Sequence, residues 1–273
     1  MAELCYFWAF RINNIFVKDQ PNSNNKPLYR VPEIFNAFTN LVSGESTRHG
    51  GVSQAPYNSL NLGGSTKDTP ENVLENNKRF FQSLNIDFEN VAKSHQVHGA
   101  EILTVTTAGR YEGYDALITN IPNIQLAVTI ADCTPILIFD PVKKAVAAIH
   151  AGWRGTVQEI VFITGLAMQK EYGTVPEDCL AYVGTCIDEC SFEVGEDVAD
   201  NFNPTFKRWD DQKNKYFVDL KSANREQLIR FGIKPENVEV SPFSTVLHNE
   251  DYFSYRYENG MTGRMLVTIG LIE

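Results

Sequence analysis

Between residues 100 and 151 the chain places five short apolar runs one after another: AEILTVT, DALITN, QLAVTI, PILIFDP and AVAAIHA. Most are apolar on both faces rather than alternating. That pattern belongs to strands of a sheet covered on both sides, since a half-exposed hairpin would alternate apolar with polar. A membrane span needs ~20 unbroken apolar residues, and no stretch of the chain approaches that.

The covering helices are legible on either side of these runs. TPENVLENNKRFFQSLNI has Thr69 or Asp68 as N-cap, Pro70 in its first turn and Glu71 where it complements the helix dipole. TVQEIVFITGLAMQKEYG puts Val157, Ile160, Val161 and Met168 on one stripe and Gly173 near its end. A further helix is expected to begin near residues 195–197, and SANREQLIRFGI is another. LAYVGTCI, VEVSPFS and RMLVTIGLI read as strands. Residues 1–40, with YFWAFRINNIFV, read as short strands and turns. SGESTRHGGVSQAPYNSLNLGGS reads as an ordered loop region anchored by Tyr57, Leu60 and Leu62. There is no internal repeat and no linker. Residues 1–273 are expected to form a single α/β domain with a mixed β-sheet core covered by helices.

Charge and cysteine usage narrow the function classes. A net charge of -10 argues against nucleic acid or an anionic membrane as partner, so an anionic substrate needs a local basic site. The N-terminal stretch lacks a basic n-region, and Arg11 and Asn13 interrupt its apolar run, unlike a secretory signal. Five scattered cysteines, an odd number, read as reduced thiols in a cytoplasmic protein. The expected assembly is a monomer or a homodimer.

Three residues stand out as chemistry-bearing: His98 in SHQVHGAEI, Cys133 in ADCTPILIFDP and His150 in AAIHAGWRGT. Each lies beside an apolar run, where strand ends and turns tend to line clefts. Two imidazoles and a thiol make a three-ligand zinc set with one position open. The same residues equally make a thiol nucleophile with a histidine base. Their separations, 35 and 17 residues, match no local zinc motif, so spacing does not decide between them. Asp132, next to Cys133, is a candidate to orient a ligand or carry a proton. In GWRGT, Arg154 and the helix start after Gly155 are candidates for phosphate, with Arg48 of STRHGG as a second arginine. Trp153 either stacks on a purine or fills the core. Cys186 and Cys190 lack CxxC spacing and read as thiols near a turn.

STRHGGVSQAPYNSLNLG, SHQVHG, YDALITN, ADCTPILIFDP, AAIHAGWRGT, FEVGEDV, VDLKSANREQL and YFSYRYENGMTGRM follow in this order. Together they closely resemble the multicopper polyphenol oxidase, or laccase-domain, family, also described as purine nucleoside phosphorylases and as a peptidoglycan editing factor. The resemblance runs from about residue 36 to the end. It implies a fold like that of a bacterial toxin deamidase and a metal, generally zinc, held by His98, Cys133 and His150. It also implies phosphorolysis of adenosine, inosine, guanosine and methylthioadenosine, with deamination of adenosine. The expected small-molecule partners are therefore purine nucleosides and phosphate. Copper-dependent phenol oxidation is a rival reading, since copper accepts the same donors. A metal-free cysteine hydrolase acting in peptidoglycan precursor editing is another. The chain departs from the family at Ser244-Thr245, where Cys-Thr is frequent, which weakens any reading that draws on many cysteines.

Overall fold

The structure, a computed structural model, describes residues 26–273. The expected strands of YFWAFRINNIFV lie outside the described residues.

The strands form two six-stranded mixed sheets rather than one, with strand numbers following the chain. The first runs in the order β1 (Tyr29–Arg30), β2 (Leu41–Ser46), β15 (Met265–Leu271), β7 (Gln125–Ile130), β3 (Val91–His95) and β5 (Gly109–Glu112). The second runs β14 (Val238–Val240), β10 (Leu180–Val183), β8 (Thr134–Asp140), β9 (Ala145–Ala151), β6 (Ala116–Thr119) and β4 (Ile102–Thr104). Each sheet has an antiparallel centre and parallel pairs toward its edges, β3 with β5 and β7 in the first, β4 with β6 and β10 with β14 in the second. A small third sheet joins β11 (Glu193–Val194), β13 (Lys215–Val218) and β12 (Lys207–Asp210).

The two large sheets pack face to face. Leu126, Val128, Val267 and Ile269 from the first meet Leu137, Phe139, Val146 and Ala148 from the second. The outer faces take the helices. Phe80 and Phe81 of α1 (Pro70–Ser83) cover Ala127 and Leu266. On the other side α3 (Ile160–Tyr172) and α5 (Leu220–Phe231) bring Val161, Met168 and Leu228 onto Ile136, Ile138 and Ile149. β8 and β9 are therefore buried at every position, which is why PILIFDP and AVAAIHA show no alternation. Each fully buried large side chain contributes ~1.5–3 kcal/mol, so these double-faced strands are the rigid part on which a site can be built.

The helix expected over 156–173 is two helices. α2 (Trp153–Val157) begins at Trp153, and α3 begins only at Ile160, after Glu159 in a left-handed conformation with φ 60°. Gln227 of α5 spans the break: its carbonyl accepts from Val161 and Phe162 N–H at 3.2 and 3.3 Å, and its amide donates to Thr156 O at 2.8 Å. A side chain from another helix satisfies the interrupted backbone, which helical periodicity cannot foresee. The short helix expected near 195–197 is α4 (Glu196–Ala199). Among the described residues no helix is long and apolar enough to cross a membrane.

Candidate metal centre

His98, Cys133 and His150 come together at one end of the sandwich, and their ligand atoms lie within 4.8 Å of one another. Each arrives by a different route. His98 follows β3 of the first sheet, Cys133 sits on the turn where β7 of the first sheet passes to β8 of the second, and His150 belongs to β9. The centre thus sits where the two sheets are tied together. His150 is buried, Cys133 half-buried and His98 exposed, so the cluster opens to solvent on the His98 side.

Asp115, just before β6, organises the cluster. The N–H groups of Val97, His98 and Gly99 all donate to its carboxylate, at 3.2, 3.0 and 2.8 Å. This convergence holds His98 in a left-handed conformation with φ 59°, unusual for a non-glycine residue. Gln96 fastens the same loop to the end of β7: its amide donates to Thr129 O at 2.8 Å and accepts from Thr129 N–H at 2.8 Å. On its other side Asp115 Oδ1 accepts from His150 Nδ1–H at 2.7 Å. A histidine that donates through Nδ1 keeps the Nε2 lone pair for an ion, and this carboxylate–imidazole arrangement is the usual support for a metal-binding histidine. The His98 and His150 rings stand edge to face, centroids 4.8 Å apart.

The electrostatics favour an ionised thiol. Burial alone would raise the Cys133 thiol, but the charge of His150 and the imidazoles of His150 and His98 beside it draw it down to about 6. Burial would lower His150, but the Cys133 charge and the Asp115 bond carry it up to about 9. Asp115, despite its burial, is held below the ordinary carboxylate range by His150 and by the N–H groups of Gly99 and Val97. A thiolate is the form that binds a metal.

Gly152 leaves the space for this. A Cβ there would stand 2.9 Å from His98 Cδ2 and 3.3 Å from Cys133 Sγ. One thiolate, two imidazoles, an orienting carboxylate and an exposed side fit a divalent ion with a vacant position.

The other sequence candidates occupy different roles. Both oxygens of Asp132 are engaged, accepting from Thr245 Oγ1 at 2.6 Å and Arg256 N–H at 2.7 Å. Burial nonetheless outweighs these bonds and raises its carboxyl. Asp132 itself has φ 88°, and its backbone carbonyl accepts from Ile187 N–H at 3.0 Å, so it shapes the turn that presents Cys133. Arg48 is tied to Asn249 O at 2.9 Å, to Glu258 at 3.0 Å and lies over Phe253. It braces the loop region to the C-terminal segment. Arg154 is exposed and lies over its neighbour Trp153. The helix start expected after Gly155 lies instead at Trp153, and Gly155 is buried where a Cβ would come 2.9 Å from Gly99 O. Its role is close packing of α2 on the His98 loop.

Asp115 was not singled out in the sequence, although it opens the DALITN strand directly beside a tyrosine. A carboxylate at the mouth of a fully buried strand was the available signal. Ser244 does not join the centre: its hydroxyl donates to Asp188 and accepts from Val246 and Leu247 N–H at 3.1 Å.

A family model described as "Multi-copper polyphenol oxidoreductase laccase" matches residues 42–272. The chain belongs to this family. Among its relatives, a purine nucleoside phosphorylase of Bacteroides thetaiotaomicron is 36% identical over 250 residues, 86% of this chain and 93% of that one. A purine nucleoside phosphorylase of Deinococcus radiodurans is 38% identical over 90% of this chain and 93% of its own. The crystal structure of YlmD from Geobacillus stearothermophilus superposes with a TM-score of 0.84 at 31% identity, covering 94% of this chain and all of that one. The expected mixed α/β fold of the laccase-domain family is therefore the observed one.

Proposed function

We propose that the protein cleaves purine nucleosides with phosphate, releasing the base and ribose 1-phosphate, at an ion held by His98, Cys133 and His150. The observation that carries this is the convergence of the three donors under Asp115, in a family whose relatives bear the name purine nucleoside phosphorylase. Adenosine, inosine, guanosine and methylthioadenosine are the substrates to try, and zinc is the ion this donor set suits best. An ion there would supply electrophilic stabilisation of developing negative charge.

The chain's own groups set the geometry. Asp115 holds the His150 ring in one tautomer and fixes the His98 loop in the same stroke. His98, on the exposed side, leaves an approach for substrate. Phosphate oxygen must bond to C1′ as the C1′–N9 bond breaks and its electron pair leaves with the purine. The requirements are positioning of the anion and charge stabilisation. Asp132, beside Cys133, is a candidate proton carrier, its carboxyl raised by burial against the bonds from Thr245 and Arg256. The four free cysteines of the described residues suit a reducing cytoplasm.

The test is base release from each nucleoside with and without phosphate, with ammonia read separately. Phosphate-dependent base release supports the reading; ammonia alone replaces it with deamination. The lowered Cys133 thiol also favours a metal-free cysteine hydrolase. Trapping of Cys133 by an alkylating agent at the same rate with and without zinc would support that reading instead. Oxygen uptake with a phenol, appearing only after copper is added, would support the oxidase.

A further inference from the structure

Phosphorolysis needs a cation for its anion, and the molecule offers one that lies in the YFSYRYENGMTGRM phrase but was not singled out there. Arg264 sits immediately before β15. Met265 pairs with Ile130, so the residue before it stands beside the turn at residues 131–133 that presents Cys133. Its backbone is pinned there, with Arg264 N–H donating to Asn61 Oδ1 at 2.9 Å. Gly63 gives its stem room, since a Cβ on Gly63 would fall 2.4 Å from Arg264 Cγ. The guanidinium lies 5.4 Å from the ring of Tyr255, whose chain neighbour Arg256 binds Asp132 through its backbone.

Arg30, Arg48, Arg79, Arg110, Arg208 and Arg230 each have a carboxylate within ion-pair distance. Arg264 is half-buried and, like Arg154, Arg225 and Arg256, has none among the described residues; of these four it is the one that stands beside the Cys133 turn with its stem packed on the 61–63 loop. One nitrogen, Nη1, donates to Thr262 O and Gly263 O at 3.0 and 2.9 Å. Nε and Nη2 have no hydrogen-bond partner among the described residues. Burial holds the guanidinium below its ordinary range, while the charges of Tyr255, Cys133 and Asp132 pull it back. The loop at residues 62–64, against which the Arg264 stem packs, meets two further basic side chains. Lys93 Nζ reaches Leu62 O at 3.4 Å and Asn77 Oδ1 at 2.8 Å, with no carboxylate among the described residues, and Arg110 Nη1 lies 3.5 Å from where a Cβ on Gly64 would stand. In a chain of net charge -10, an arginine fork with a free edge beside the Cys133 turn is suited to an oxyanion.

We propose that Arg264 is the phosphate-binding residue of the centre, its free Nε and Nη2 edge gripping inorganic phosphate beside Cys133. The assignment rests on the phosphorylase reading for the identity of the anion. A guanidinium edge would also accept the phosphoryl group of a nucleotide, so both are tested.

The experiment is calorimetric titration of inorganic phosphate, and separately of a purine nucleoside 5′-monophosphate, into the metal-loaded protein. Arg264→Gln should weaken phosphate at least tenfold, Arg264→Lys should recover part of the loss, and Arg79→Gln, which removes an equal charge from α1, should change nothing. Unmodified protein gives a second readout. Phenylglyoxal should label Arg264, and phosphate should protect it, over the concentration range of the titration, without protecting Arg79. No phosphate binding, unchanged affinity in Arg264→Gln, no protection of Arg264, or nucleotide binding that alone depends on Arg264 would each overturn the proposal. Phosphate binding through Arg264 in a protein that releases no base would sink the phosphorylase reading and leave the oxyanion site standing. Phosphate-dependent base release with Arg264→Gln binding phosphate as well as wild type would sink the Arg264 assignment alone.

Discussion

Cys133 and Cys186 carry the same thiol in two neighbouring parts of one fold, and the fold treats them oppositely. Cys186 is fully buried, and burial pushes its thiol up to about 12. Cys133 is drawn down to about 6 by two imidazoles at the mouth of the sandwich. The two buried carboxylates Asp115 and Glu45 repeat the contrast. Asp115 faces an imidazole and three N–H groups and is lowered. Glu45, 1% exposed and paired with Tyr182 O–H and Thr185 N–H, is raised because burial outweighs these bonds and the smaller pull of the Lys221 charge. Burial alone makes an inert acid. Burial beside a convergent positive charge makes a ligand.

The sharpest break of this comparison is a pair of substitutions. Cys133→Ala should lower phosphate-dependent base release by ~10²–10³-fold, whereas Cys186→Ala should leave it within a small factor and show its effect in thermal unfolding. Equal losses in turnover would erase the distinction between the two thiols.

Alkylation of metal-stripped protein measures the same contrast without turnover. At pH 7 the difference in thiolate fraction, reduced by the weaker nucleophilicity of a low-pKa thiol, leaves Cys133 at least ~10²-fold faster than Cys186. The Cys133 rate should be flat above neutrality and fall ~tenfold per pH unit below about 6, because protonation removes the thiolate. Zinc should suppress the labelling. Peptide mass mapping across a pH series reads all three.

Much of this was legible in the chain. Uninterrupted apolar runs located β7, β8 and β9 almost to the residue, because a strand buried on both faces has no other way to be written. The three donors were legible as residues beside those runs. Their convergence was not, since it depends on β7 and β8 belonging to different sheets and on Gly152 leaving room. β3 goes unmarked and residues 43–46 of β2 read as loop because VAKSH and LVSGES carry polar residues whose partners are distant in sequence: Ser46 accepts from Leu266 N–H of β15, and Lys93 donates to Asn77 of α1. The split between α2 and α3 was hidden because Gln227, 68 residues beyond Glu159, bridges it.

A smaller effect is expected where the orienting group alone is changed. Asp115→Asn keeps the shape but loses the charge that fixes His150, and should weaken metal binding ~10–100-fold, read by chelator competition. Gly152→Ala should act in the same range through steric displacement of His98. Wild-type affinity in both would show that the cluster is not organised as described.

The smallest effect belongs to Glu45→Gln. In the fold Glu45 is raised, so the unfolded chain ionises first; the stability tied to its neutral form is present at low pH and lost as pH rises through the raised folded value. Glutamine cannot ionise, so the variant should show a flatter dependence of unfolding on pH, with a change at neutral pH of ~1 kcal/mol. A slope identical to wild type would remove Glu45 from the list of inert buried acids.

The most direct test of the metal centre is elemental analysis of purified wild type and Cys133→Ala after removal of loosely bound ions. One equivalent of a divalent ion in wild type, and none in the variant, is the expected result. The same metal content in both, or an ion-free wild type that still releases base with phosphate, would contradict the account.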